Sequence, residues 1–462
     1  MIDGAFLNRT LGTALVVLTC VVILDEWGLA GWASSGAAVA VLVVVALLAI
    51  KAHGSRAAFL IVALVLTAAL ALRVPDWLAI VQRGLGTAAF IAGFFTALSS
   101  LRSVAQTSPA IRATGRYLAS QPPGRRYIAL SSGGTMFALL LNYGAIALLG
   151  TLASASAKSE PDLEIRRIRT RRMLLAIQRG FVSTLPWSPM SFAVAISTAV
   201  IPGTAWSELV VPGLISSALL TTAGWALDRM FKPRRSGAPA EFKPEGTWRQ
   251  LLPLGLLLVI LVGLVSVLHF VTDIRVVGVV MPVVPAIALG WIILQTRSLR
   301  GTLSHIRHYV TEELPAYRLE LVLLMMAGYI GTVGAALLLP LVTASGFDAS
   351  GLPGWLVLAV LVWIVPIAGQ IGMNPILCVT LLAPLIPSAD QLGVNPTAIV
   401  VALTSGWALS GITSPFTATT LLIGSFAGVS AFEVGTRWNG IYFLVSAVLM
   451  TAWAIVFGLW TA

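Results

Sequence analysis

AIQRGFVSTLPWSPMS, residues 176–191, and ALTSGWALSGITSPFT, residues 402–417, echo each other 226 residues apart. Each places a glycine (Gly180, Gly406) eight residues ahead of a Ser-Pro pair (Ser188-Pro189, Ser414-Pro415), within a segment otherwise apolar enough to cross a membrane. Proline has no backbone N–H and its ring clashes with the preceding turn, so a helix reaching either pair breaks there. In hydrocarbon the freed carbonyls must be satisfied by protein, water or a solute. Broken spans at corresponding places in two halves of a chain point to a transporter's binding site. Four of the sixteen positions are identical, so the echo gains weight only if the rest of the chain is duplicated too.

The composition sets the class. Of 462 residues, 58% are hydrophobic and 10% charged, against roughly 45–50% and 25% in soluble proteins. This is a polytopic membrane protein. Its two cysteines, Cys20 and Cys378, lie in apolar runs, so no disulfide framework or zinc cluster can be read from them and they read as small packing residues. The four histidines, His53, His269, His305 and His308, fall at predicted membrane edges or in loops, too few and too peripheral for a haem or metal site. Residues 11–24 follow Arg9 and resemble a signal-peptide core, but hydrophobic segments simply continue behind them, so they read as a retained first span. The formal charge of +11 invites a nucleic-acid reading; its distribution argues against one, because Lys and Arg collect in loops as they do on the cytoplasmic side of membrane proteins.

A span needs about 20 mainly apolar residues. Eleven are predicted, near 11–24, 36–50, 57–73, 84–101, 172–202, 207–227, 250–270, 274–294, 317–343, 396–428 and 438–460. Two further apolar stretches, 117–150 and 355–387, are interrupted at Ser131-Ser132-Gly133-Gly134 and at Gly369-Gln370-Ile371-Gly372-Met373-Asn374-Pro375. Both are expected to be re-entrant hairpins. With the N-terminus inside, this scheme leaves 25 of the 29 basic residues in cytoplasmic segments, while Asp25, Glu26, Asp76, Glu208, Asp273, Asp348 and Asp390 face outward. Making either hairpin a full crossing would invert every later loop and spoil the sorting. The first hairpin is flanked by arginines and opens inward; the second lies between Asp348 and Asp390 and opens outward. The second to sixth and seventh to eleventh spans then form two units of opposite orientation, an inverted repeat.

The expected organisation is therefore an N-terminal span (1–35), a first repeat with a cytoplasm-facing hairpin (36–228), a Pro- and charge-rich cytoplasmic linker (229–249, RMFKPRRSGAPAEFKPEGTWR) and a second repeat with an outward-facing hairpin (250–462). The fold class is all-α and polytopic, with the C-terminus outside the cell's inner membrane. Residues 102–126 and 295–316 are basic and amphipathic, suited either to lying on an anionic inner leaflet or to forming solvated loops. Tryptophans such as Trp27, Trp77, Trp206, Trp225, Trp355 and Trp438 stand near span ends as interface anchors.

With its spans, hairpins and Ser-Pro breaks in this order, the chain over residues 36–460 resembles the ion transporter superfamily, most closely its divalent anion/sodium symporter type, with arsenite-permease-like and citrate-carrier relatives. The resemblance implies hairpins with Ser-Asn-Thr tips, sodium and a carboxylate bound between tips and breaks, and a homodimer in which one domain moves as an elevator. This chain departs from the motif, offering Ser132-Gly133-Gly134-Thr135 at the first tip and Gly372-Met373-Asn374-Pro375 at the second. Half the side-chain oxygens of that motif are missing, so Na+ as a coupling ion would need backbone carbonyls, which satisfy a hard cation equally.

The expected substrate site comprises Ser132, Gly133, Gly134, Thr135, Asn374 and Pro375 at the tips, with Ser188, Thr413, Ser414 and Thr417 at the breaks; Ser183, Thr184 and Arg179 are further ion or anion contacts. Helix N-termini there could hold an anion through unpaired amides. The competing reading is that Ser, Thr and Gly only let membrane helices approach and bond to each other. Arg179 is expected to snorkel to the cytoplasmic end of its span, with an anion contact as the sharper alternative. No tip or break holds an Asp or Glu, which favours an anionic or neutral substrate over cation exchange. The sequence thus points to a secondary transporter of a small anion, an organic carboxylate foremost, using a sodium or proton gradient. The alternatives are a sodium/proton antiporter or oxyanion exporter on the same scaffold and, remotely, an integral membrane enzyme, for which converging acid, base or metal groups are lacking.

Overall fold

The structure, a computed structural model, describes residues 4–158, 160–231, 246–346 and 348–461. Four helices, α1 (Gly4–Glu26), α2 (Ala33–Ala49), α3 (Ser55–Arg73) and α4 (Trp77–Thr107), occupy the first four expected spans. They are followed by α5 (Pro109–Ala119), α6 (Pro123–Leu141), α7 (Gly144–Lys158), α8 (Leu163–Val182), α9 (Phe192–Val200) and α10 (Trp206–Met230). Beyond the expected linker, whose residues 232–245 lie outside the described residues, come α11 (Leu252–Thr272), α12 (Val276–Thr296), α13 (Leu299–His308), the short α14 (Leu314–Ala316) and α15 (Arg318–Ala344). The chain ends with α16 (Gly354–Gln370), α17 (Pro375–Leu382), α18 (Ala389–Leu392), α19 (Pro396–Thr413), α20 (Ala418–Ala427) and α21 (Gly440–Trp460).

Among the described residues, 9 helical segments are long and apolar enough to cross a membrane, with α19 and α20 taken together as one. The protein is a multi-pass membrane protein. Its spans differ in surroundings: the α3 window is 11% buried and reads as lipid-facing, whereas the α19–α20 window is 89% buried and sits inside protein.

Of the two expected interruptions, one falls elsewhere than expected and one falls as expected. Residues Ser131 to Thr135 lie within unbroken α6, and the turn comes later, at Asn142-Tyr143, where Asn142 adopts φ 49° and its N–H bonds the Ala138 carbonyl. A Ser-Ser-Gly-Gly run would fray a helix in water. In hydrocarbon no solvent competes for the backbone, so the helix persists, and Asn tolerates the left-handed corner. The second interruption is where the sequence places it: α16 ends at Gln370, Gly372 takes φ 84°, and Pro375 opens α17.

The helices form two compact units. The first contains α1 to α4 up to Val104, Leu261–Ala349 and Ile376–Ile386. There α1 packs on α2 and α3 on α15. Glu26 pairs with Arg275, whose guanidinium lies 5.3 Å over the Phe90 ring, and Tyr309 Oη donates to the Thr96 carbonyl at 2.7 Å. The second unit contains Ala105–Ile260, Ser350–Pro375 and Pro387–Ala462. Its principal pairs are α6 with α8 and α16 with α19, with α21 against α10, α16 and α19. The arms of the expected second hairpin thus divide, α16 belonging to the second unit and most of α17 to the first.

Candidate functional site at the crossing of two broken helices

Both Ser-Pro pairs break their helices. Asp162 caps α8, its carboxylate accepting from the amides of Glu164 and Ile165, and the helix stops after Val182. The chain is non-helical from Ser183 to Ser191, and α9 resumes with Ser191 Oγ accepting from Val194 N at 3.2 Å. In the second unit's other half, Asn395 caps α19 with Pro396 as first residue; α19 is buried from Thr397 through Thr413. Residues Ser414 to Thr417 separate it from α20. The outgoing half of each broken helix lies on the incoming half of the other, α20 on α8 and α9 on α19. The two therefore cross antiparallel.

Each proline leaves one carbonyl without its helical donor, and in each case a hydroxyl from the following half-helix replaces it. Leu185 O, four residues before Pro189, accepts from Ser191 Oγ at 3.1 Å. Gly411 O, four residues before Pro415, accepts from Thr419 Oγ1 and from Gln178 Nε2, the latter at 3.3 Å. Ser414 O takes bonds from Thr417 Oγ1 at 2.9 Å and Thr420 Oγ1 at 2.6 Å. This is how irregular backbone survives at membrane depth. The donors of α20 fare differently. Among the described residues the amides of Ala418, Thr419 and Thr420 have no acceptor, and Thr417 forms no side-chain cap. An uncapped N-terminus offers unpaired amides and about half a positive charge.

The expected site residues separate into groups. Thr135 Oγ1 reaches Gly180 O at 3.0 Å and Ser183 Oγ at 3.1 Å, tying α6 to the first break. Ser414 Oγ reaches Gly369 O at 2.7 Å, tying the end of α16 to the second. Gly372 lies against the Phe416 ring, so the α16–α17 interruption flanks that break; Asn374 and Pro375 follow it, both partly buried. Ser188, Thr413 and Thr184 are buried and bond locally, to Met190 N, Leu409 O and Phe181 O. Ser132 is exposed on α6, while Cβ atoms at Gly133 and Gly134 would meet Leu118 and the Ile177 carbonyl. The two glycines are where helices approach closely, the competing reading of small residues.

Arg179 does not snorkel. It is 6% exposed, its Nε donates to Asn439 Oδ1 at 3.2 Å, and its guanidinium stacks 4.2 Å over the Tyr442 ring. A niche opposite Gly224, where any Cβ would strike Tyr127 and crowd the Arg179 stem, holds it inward. It forms no ion pair among the described residues. Asn439, fully buried, donates to Gln178 Oε1 at 2.9 Å and Val434 O at 3.2 Å. Sequence reasoning missed Gln178, Asn439, Thr419 and Thr420; the adjacent polar pair Gln178-Arg179 in an apolar run was the one available signal.

The hydroxyl pair across α6 and α8 has a measurable consequence. In a double-mutant cycle with Thr135→Val and Ser183→Ala, unfolding in detergent should give a coupling of about 0.6 kcal/mol and at most ~1.7 kcal/mol; zero coupling would mean the hydroxyls do not bond.

No family model and no curated protein matches this chain. Solved structures do. The crystal structure of the YdaH transporter of Alcanivorax borkumensis, described as having an unusual topology, is 18% identical over 87% of this chain and 98% of that one, with TM-score 0.58. The structure of MtrF of Neisseria gonorrhoeae, described within a class of antimetabolite efflux pumps, is 14% identical over 89% and 96%, with TM-score 0.54. At these identities the likeness is one of fold. The chain has the fold of a membrane transporter.

Proposed function

We propose that the protein is a secondary active transporter of a small anion, an organic carboxylate foremost, bound where the two broken helices cross. The observation that carries the reading is the free N-terminus of α20, three unpaired amides at a break within a membrane-spanning segment. A carboxylate satisfies such amides without a formal positive charge beside it. Arg179, buried one turn before the first break, adds positive potential in a low-dielectric setting. Na+ as coupling ion would draw on the carbonyls and hydroxyls at the end of α16 and the second break, where Gly369 O, Ser410 and Ser414 lie together; a proton gradient is the other drive. The inverted repeat, re-entrant hairpins, elevator motion, homodimer, inner-membrane location with N-terminus inside, and membership of the ion transporter superfamily belong to the same reading. So does the expectation that the protein is not an enzyme.

Export is the second reading, favoured by the efflux described for MtrF. Uptake and counterflow in proteoliposomes decide both. With a labelled panel of small mono- and dicarboxylates and an imposed sodium or proton gradient, at least one should accumulate above protein-free vesicles. No movement in either direction across the panel, with correctly folded protein in both orientations, contradicts the anion reading.

A further inference from the structure

At the end of α12 the chain turns sharply and runs into a helix whose exposed side carries two chemistries. Leu289, Ile293 and Leu294 on α12 are exposed, at 44%, 45% and 74%, as expected of a lipid-facing span. Arg297 then takes the left-handed conformation, φ 48° and ψ 28°, and Ser298 caps α13 by accepting from Gly301 N. Thr296 Oγ1 bonds Thr302 Oγ1 at 2.9 Å, pinning the corner. On α13, Thr302 and His305 face the body of the first unit, His305 Nε2 meeting Ser103 Oγ at 3.1 Å. The other side is uncovered. Leu299, Leu303 and Ile306 stand at i, i+4 and i+7 with exposures of 80%, 65% and 37%, forming one stripe.

Arg300 and Arg307 lie along one flank of that stripe, and Arg297 stands at the helix start, all three exposed. They make no ion pair among the described residues, whereas His308 is occupied by Glu312 and Glu313. An exposed apolar stripe with a basic flank, starting where a lipid-facing span ends, matches the boundary between acyl chains and phosphate headgroups. We propose that α13 docks on the anionic leaflet of the protein's own membrane. Leu299, Leu303 and Ile306 enter the acyl boundary, and Arg297, Arg300 and Arg307 engage anionic lipid phosphates. Tyr309, bonded to Ser99, and His305, bonded to Ser103, hold this segment on α4.

The test uses the full chain in nanodiscs of phosphatidylcholine with or without phosphatidylglycerol. Spin labels at L303C and S304C, in a background lacking Cys20 and Cys378, should report oxygen-rich lipid at 303 and a water-soluble relaxation agent at 304. Binding of phosphatidylglycerol, read by native mass spectrometry, should weaken roughly tenfold to thirtyfold in R300Q/R307Q; exposed positions were chosen so the variant folds. Glycerol phosphate should not compete, which separates a membrane lipid from a free phosphate. A wet label at 303, a lipid preference unchanged in the variant, or dipolar coupling placing label 303 against a second copy would each overturn the proposal.

Discussion

Gly180→Ala should unfold the protein at markedly lower temperature than wild type. A Cβ at Gly180 would stand 2.1 Å from Ser131 O and 2.9 Å from Ser131 Cα, both backbone atoms of α6. No side chain can swing away, so α6 and α8 must separate, breaking the Thr135 bonds to Gly180 O and Ser183. Overpacking of this kind costs about 1–3 kcal/mol and at times more, and the damage lies directly before the first break. Gly255→Ala and Gly263→Ala are the controls: nothing stands within 4 Å of either Cβ, so both should melt as wild type. Fluorescence-detected size exclusion after heating reads all three; a wild-type profile for Gly180→Ala would refute the close approach of α6 and α8.

Arg179→Met should raise the apparent KM for a transported carboxylate on the order of tenfold, equivalent to ~1.4 kcal/mol of lost attraction, with little change in melting. Stability should move little because two effects oppose. Removing a buried cation relieves its desolvation, while Asn439 Oδ1 loses a donor, a cost of about 1–3 kcal/mol. Arg179→Lys retains the charge and should restore most of the affinity. If Arg179→Met transports with wild-type KM, or lysine fails to rescue it, Arg179 is a packing residue seated on Tyr442 and its charge does not serve the substrate.

Much of the fold was legible. Nine of the eleven expected spans coincide with helical segments long and apolar enough to cross a membrane, because those hydrophobic runs are long and the loops between them polar; 36–50 forms a shorter apolar helix, and 172–202 is divided between α8 and α9. The breaks at Pro189 and Pro415 were legible because proline removes a donor wherever it stands. The α6 interruption was misread because small polar residues were weighed as they behave in water; the Asn142-Tyr143 corner lay hidden in an apolar run. Thr135, Ser183 and Ser414, singled out for their proximity to breaks or glycines, make hydrogen bonds that tie neighbouring helices to the two breaks. The link from Gln178 and Asn439 to the carbonyls of Gly411 and Ile412 was not, since it joins residues more than two hundred positions apart and depends on the antiparallel crossing. Arg179 was expected to reach water because its distance from the span end allowed it; the niche at Gly224 and Tyr442 is a tertiary feature.

The most direct measurement is a cryo-electron microscopy map of the full chain in lipid nanodiscs with the carboxylate that moves fastest in proteoliposomes. The account predicts density for that anion within hydrogen-bonding distance of the Ala418, Thr419 and Thr420 amides, with both helices broken at Ser188-Pro189 and Ser414-Pro415. Density bound elsewhere while those amides remain bare, or a continuous helix through Pro415, would contradict it.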